Sequence, residues 1–132
     1  MILIDTSVWI DFLTDRDTPN TEVVDLMVNE REDICICGVV LAEVLQGIRR
    51  DKEYKKTKTI LSELLFLPMT KETFYLSADI YRTCRARGIT IRNSIDCMIA
   101  ATCIQHEARL FHNDKDFDLI ASQFDLDIYT PK

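Results

Sequence analysis

The chain has 132 residues, with 16 Lys and Arg against 22 Asp and Glu and a formal net charge of −6. At 47% hydrophobic and 29% charged it has an ordinary globular composition, and its length suits one domain with one core. Three Gly and three Pro exclude a turn-dense all-β protein and any sizeable low-complexity segment, and no apolar run approaches a membrane span.

Met1 to Asp5 is an apolar run closed by an acid, the pattern of a buried strand. Thr6-Ser7 can cap a short helix through Trp9 to Leu13, and a polar loop with Pro19 follows. Apolar spacing predicts a helix over Thr21 to Asn29 and a short strand over Ile34 to Cys37. Val39 to Ile48 reads as a buried helix and Lys52 to Leu65 as an amphipathic one with a basic face. Phe66-Leu-Pro-Met69 is a strand candidate that its proline confines to a sheet edge.

Thr70 caps a long helix to Arg87, stopped by Gly88. Asn93 or Ser94 caps another, to about Ala108. Arg109 to His112 reads as a strand, Phe117 to Gln123 as a helix, and Leu126 to Tyr129 as a last strand. Short apolar strands alternating with helices predict a single three-layer α/β/α domain over residues 1–132, with a mostly parallel central sheet.

Five cysteines without metal-ligand spacing read as buried free thiols. His106 and His112 form no zinc pairing; His106 reads as a helix-end residue. With no basic leader and no span, the expectation is a cytoplasmic protein.

In a parallel sheet, sites lie at the carboxyl ends of the strands. Asp5 falls there after the first strand, Glu43 just after the second amid apolar neighbours, Asp96 in the first turn of a helix, and Asp114 and Asp116 directly after another strand. Converging carboxylates repel one another unless a cation neutralises them. An all-oxygen set selects a hard ion, Mg²⁺ or Mn²⁺, which can activate water against a phosphodiester. Ser7, Ser94 and Asn113 are placed to orient outer waters.

Charge is segregated. Arg49 to Lys58 holds six basic and two acidic residues, and Arg82 to Arg92 holds four arginines and no acid, each a local +4. The remainder is −14. Such stripes suit a polyanion.

Ile4-Asp-Thr-Ser-Val-Trp9, Glu43, Ile95-Asp-Cys-Met-Ile-Ala-Ala101 and Asp114-Lys-Asp-Phe117 together resemble a PIN domain, and within that family the VapC-type toxins of toxin–antitoxin pairs. The resemblance covers essentially the whole chain. It implies a Mg²⁺- or Mn²⁺-dependent endoribonuclease cutting structured RNA such as tRNA or rRNA, a homodimer, and a VapB-type antitoxin that obstructs the site. It implies Asp5 and Asp96 as principal metal ligands, and Glu43 as a ligand or a residue that orients water. Asp114 is preferred as the fourth acid because Asp116 can cap the helix starting near Phe117. His112 stands where the family pattern has Thr.

Trp9, Phe12 and Leu13 offer aromatic and apolar anchors to an antitoxin, and Arg49 to Lys58 a phosphate-positioning face. Two other readings are open, a non-catalytic PIN scaffold and a receiver- or dehalogenase-like domain phosphorylated on Asp5. The second lacks the Asp-x-Asp of dehalogenases, because Ser7 occupies that place.

Overall fold

The computed structural model describes residues 1–14, 18–30 and 32–131. Four parallel strands form the central layer: β1 (Ile2–Ile4), β2 (Ile34–Cys37), β3 (Leu65–Leu67) and β4 (Arg109–Phe111), in the order β3-β2-β1-β4. Ile2 pairs with Ile34 on one side and Arg109 on the other, and Cys35 pairs with Leu65. Both neighbours of β1 run parallel to it, and both its faces are covered. Every residue of β1 and β2 is therefore buried, which is why these strands read as unbroken apolar runs.

Seven helices among the described residues make the outer layers: α1 (Thr6–Leu13), α2 (Pro19–Asn29), α3 (Gly38–Gln46), α4 (Asp51–Ser62), α5 (Lys71–Ala86), α6 (Ser94–His106) and α7 (Lys115–Ala121). The core gathers Leu3, Ile4, Val8, Trp9, Ile36, Ile99, Leu110 and Phe117, all under 2% exposed. The three-layer α/β/α architecture is the expected one. All five cysteines are free and buried, and no helix among the described residues is long and apolar enough to cross a membrane.

Several element boundaries differ from expectation, each for a local reason. Pro19 is the first residue of α2, where a missing N–H costs nothing, and Thr18 caps that helix through a 3.2 Å bond from Thr21 N–H. Residues 15–17 of the expected polar loop lie outside the described residues. β3 ends at Leu67 because Pro68 has no N–H to continue the ladder, and the strand does lie at the sheet edge. Leu126 to Tyr129 makes one isolated bridge, Ile128 to Leu110, in which the Leu110 N–H donates to the Asp127 carbonyl and the Leu110 carbonyl accepts from the Tyr129 N–H. β4 is three residues long and turns away after Phe111, so no ladder propagates into a fifth strand.

α5 ends as Gly88 predicts. Gly88 adopts φ +77°, its N–H reaches the Arg85 carbonyl, and the Ile89 N–H reaches that of Cys84, a complete Schellman motif. α6 ends in the same pair of bonds, but with exposed Glu107 in place of glycine in the left-handed region, at φ 57°. A side chain there costs about 1 kcal/mol, partly offset by the greater unfolded-state freedom of glycine. Glu107→Gly is expected to stabilise the fold by about 0.5 kcal/mol, read as a higher urea midpoint at unchanged slope. A lower midpoint would contradict this.

Candidate metal centre

Because the strands are parallel, their carboxyl ends share one edge. β2 and β3 lie to one side of β1 and β4 to the other, so the chain reverses its build direction beside β1. The crevice outside the β1 and β4 ends is where such sheets place ligands. Asp5 follows β1 and Asp114 follows β4, which puts both at that crevice.

Asp5 is 5% exposed and caps α1 itself. Its Oδ2 accepts from the Ser7 hydroxyl at 2.7 Å and from the Ser7 N–H at 3.4 Å. Burial pushes its carboxyl pKa up, against the lowering pull of the Ser7 bond. The cap is thus Asp5, where Thr6-Ser7 had been expected, because the chain is still extended at Asp5. Ser7 works on Asp5, whereas Ser94 and Asn113 are exposed and bond to no acid among the described residues.

Asp96 is 8% exposed in the first turn of α6, yet it does not cap that helix. Asn93 does, its Oδ1 accepting from the Ile95 N–H at 3.0 Å. Among the described residues the Asp96 carboxylate accepts no hydrogen bond. Its pKa is pushed up to about 7, first by burial and then by the charges of Asp5, Asp114, Asp116 and Glu43. The charges of four other acids therefore converge on Asp96 across the crevice.

Carboxylate oxygens of Asp96, Asp114 and Asp116 lie within 4.8 Å of each other. α7 starts at Lys115, two residues earlier than expected, and this reverses the two loop acids. Asp114 is the cap, its Oδ1 accepting from the Asp116 N–H at 3.0 Å, while Asp116 is 2% exposed and caps nothing. Glu43 also departs from expectation. It is half-buried, not enclosed, because only Val40 and Val44 of α3 face the core fully. The Thr6 hydroxyl donates to Glu43 Oε1 at 2.9 Å, tying the start of α1 to α3 beside Asp5.

Three neighbours of the acids were not singled out as site groups from the sequence. Thr6 holds Glu43, and its only signal is adjacency to Asp5. His112 accepts the Asp114 N–H on Nδ1 at 3.0 Å, and its Nε2 faces Asp118 Oδ1 at 3.2 Å. A ring nitrogen thus does the turn-closing work that a Thr hydroxyl performs in an ST-turn. Arg92 contacts both loop acids, Nη2 to Asp114 Oδ1 at 3.2 Å and Nε to Asp116 Oδ2 at 3.3 Å.

The donor set suits a hard divalent cation. It is all oxygen, it gathers more negative charge than one arginine balances, and it includes a buried carboxylate with no hydrogen-bond donor of its own.

Comparison with known proteins agrees with this geometry. Residues 2–123 match the PIN domain family model. The chain is 37% identical over 123 residues to VapC ribonuclease Mb1587 of Mycobacterium bovis and to ribonuclease VapC11 of Mycobacterium tuberculosis, covering 92% of each and 92% of itself. Its fold is similar to VapBC2 of Rickettsia felis bound to a promoter DNA fragment (TM-score 0.77, 21% identity, 98% of both chains). It is also similar to FitAcB of Neisseria gonorrhoeae (TM-score 0.71, 23% identity, 98% of this chain and 97% of that one). An acid-lined crevice beside β1, on a four-stranded parallel sheet, thus sits in a chain that belongs to the PIN-domain family, among the VapC ribonucleases.

Proposed function

We propose that Asp5, Glu43, Asp96 and Asp114 hold Mg²⁺ or Mn²⁺, with Asp116 as the alternative fourth acid. With that ion the chain is an endoribonuclease, the toxin of a type II toxin–antitoxin pair that cuts structured RNA such as tRNA or rRNA to stop translation. The observation that carries this reading is the buried, unbonded Asp96 facing other carboxylates at the sheet's switch point. A bound divalent cation supplies positive charge to a phosphodiester under attack and lowers the pKa of water.

The chain's own residues do the rest. Thr6 fixes one oxygen of Glu43 and leaves the other to orient water or take its proton. The Ser7 and His112 contacts hold Asp5 and Asp114 in place. Incubating bulk RNA with the protein tests the reading: cleavage should require Mn²⁺, stop with EDTA, and vanish in Asp5→Asn. A protein that binds Mn²⁺ but cuts no RNA would support the scaffold reading instead.

The RNA is placed on the basic face of α4. Changing Lys55 and Lys56, both exposed, to Glu should weaken binding of every RNA alike and flatten the salt dependence. A shifted cleavage site at unchanged affinity would count against this.

The partner is a VapB-type antitoxin. A groove of about 670 Å³ runs between the end of α1 and the start of α4. Phe12, Leu13, Ile48 and Ile60 line it together with Arg49, Arg50, Lys52 and Lys56, which outnumber its two acids, Asp25 and Glu53. It suits an apolar segment carrying acids, which would compete with RNA for Lys56. Co-expression with a VapB-type antitoxin should yield a complex that Lys52→Glu with Lys56→Glu weakens; an undiminished complex would move the partner elsewhere.

The chain is also proposed to be a homodimer, using the half-exposed Leu65, Phe66, Phe74 and Tyr75 at the β3 edge and the start of α5. Sedimentation at micromolar concentration should show twice 15.3 kDa, and a lone 15.3 kDa species would refute it.

A further inference from the structure

We propose that Arg92 is a phosphate-binding residue of this centre, held on the site's own acids in the ion-free protein and handed to the RNA backbone once a divalent cation takes those acids. The inference rests on the metal-dependent reading above and adds to it a residue which that reading does not require.

Arg92 lies just before α6, two residues ahead of its first turn. Its guanidinium bridges Asp114 Oδ1 at 3.2 Å and Asp116 Oδ2 at 3.3 Å, while the side chain is 65% exposed. The guanidinium therefore stands on the acid cluster while most of the side chain is open to solvent. The backbone N–H of Arg92 also donates to Asp116 Oδ2, at 3.2 Å. The main chain thus also ties this segment to α7, and of the two ion pairs the one to Asp114 is open to solvent on both sides and adds little to stability.

Its chemistry suits an exchange. A divalent cation attracts Asp114 and Asp116 with twice the charge of an arginine and repels the guanidinium beside it. A phosphate drawn to that cation then brings planar pairs of oxygens within reach of a fork that binds them bidentately. The run Arg82 to Arg92 carries four arginines and no acid, a charge that favours an approaching phosphate.

The test uses the parent, Arg92→Gln and Arg92→Lys, all with the backbone tie intact. Calorimetric titration of Mn²⁺ into RNA-free protein should show Arg92→Gln binding the ion about three- to tenfold tighter, because a competing positive charge is gone. Arg92→Lys should stay near the parent. Filter binding of bulk tRNA at 4 °C should show Arg92→Gln about tenfold weaker in Mn²⁺, with the slope of log K against log salt reduced by about one. Without Mn²⁺ the two proteins should bind tRNA equally.

Weaker Mn²⁺ binding by Arg92→Gln would overturn the proposal, since the fork would then be building the ion site. So would an equal loss of tRNA affinity with and without Mn²⁺, or no loss at all. Failure of the parent to bind Mn²⁺ would sink the metal reading along with this one; Mn²⁺ binding and tRNA affinity unchanged by the substitution would sink this one alone.

Discussion

Asp96→Asn is expected to abolish Mn²⁺-dependent RNA cleavage while leaving the metal-free protein at least as stable as the parent at pH 8. The carboxyl pKa is raised from 3.8 to about 7 in the fold, so between those values the native state holds a proton that the unfolded chain has lost. Stability from this group is complete below pH 3.8 and is lost as pH rises through about 7. At pH 8 the parent carries a buried charge among like charges, whereas Asn carries none. Below pH 3.8 the parent's Asp96 is neutral folded and unfolded, and the two should melt together, the gap opening as pH rises to about 7.

Mn²⁺ should reverse the order at pH 8, raising the parent's melting temperature and leaving the variant's nearly unmoved. The parent's Mn²⁺ affinity should also rise with pH up to about 7 and then level off, because the ion must displace that proton. A helix cap behaves the opposite way. Its removal would lower the melting temperature by an amount worth about 1 kcal/mol and spare cleavage, and that pair of results would end the assignment.

The acids were legible in the sequence because each breaks a pattern. Asp5 ends an apolar strand, Asp96 interrupts a helix rich in apolar residues, and parallel strands bring such ends to one edge. Their relative roles were less legible, since a cap depends on where a helix begins to within one residue. The loop Asn113-Asp-Lys-Asp-Phe117 offers two equivalent starts. Burial of Phe117 and Ile120 selects the earlier one, so Asp114 caps and Asp116 turns inward.

Arg92 was hidden for the opposite reason. In the chain it is one more arginine in a basic run, and only the fold brings it across 22 and 24 positions to Asp114 and Asp116. The expected fifth strand over Leu126 to Tyr129 has strand-forming residues but meets β4 only where Ile128 faces Leu110, which makes a bridge and no ladder.

Trp9→Ala is expected to cost about 3–5 kcal/mol, a large share of the roughly 5–15 kcal/mol that holds such a domain together. The sequence put Trp9 beside Phe12 and Leu13 as a partner anchor, but the fold separates them. α1 turns Val8 and Trp9 fully into the core, leaves Phe12 and Leu13 half-buried at the groove, and exposes Ile10. Trp9 meets Phe12 edge to face, with centroids 6.1 Å apart, so it supports the groove from beneath without lining it. Its indole Nε1 is buried with no acceptor among the described residues, an arrangement that costs about 1–3 kcal/mol relative to a satisfied group. Trp9→Phe removes that orphan while keeping most of the ring, so its net cost should stay below about 1.5 kcal/mol. Urea unfolding of the two variants gives the comparison. Phe12→Ala supplies the contrast, with a smaller loss of stability and a larger loss of partner affinity. Parental stability in Trp9→Ala would mean that the side chain is not the core residue its burial makes it.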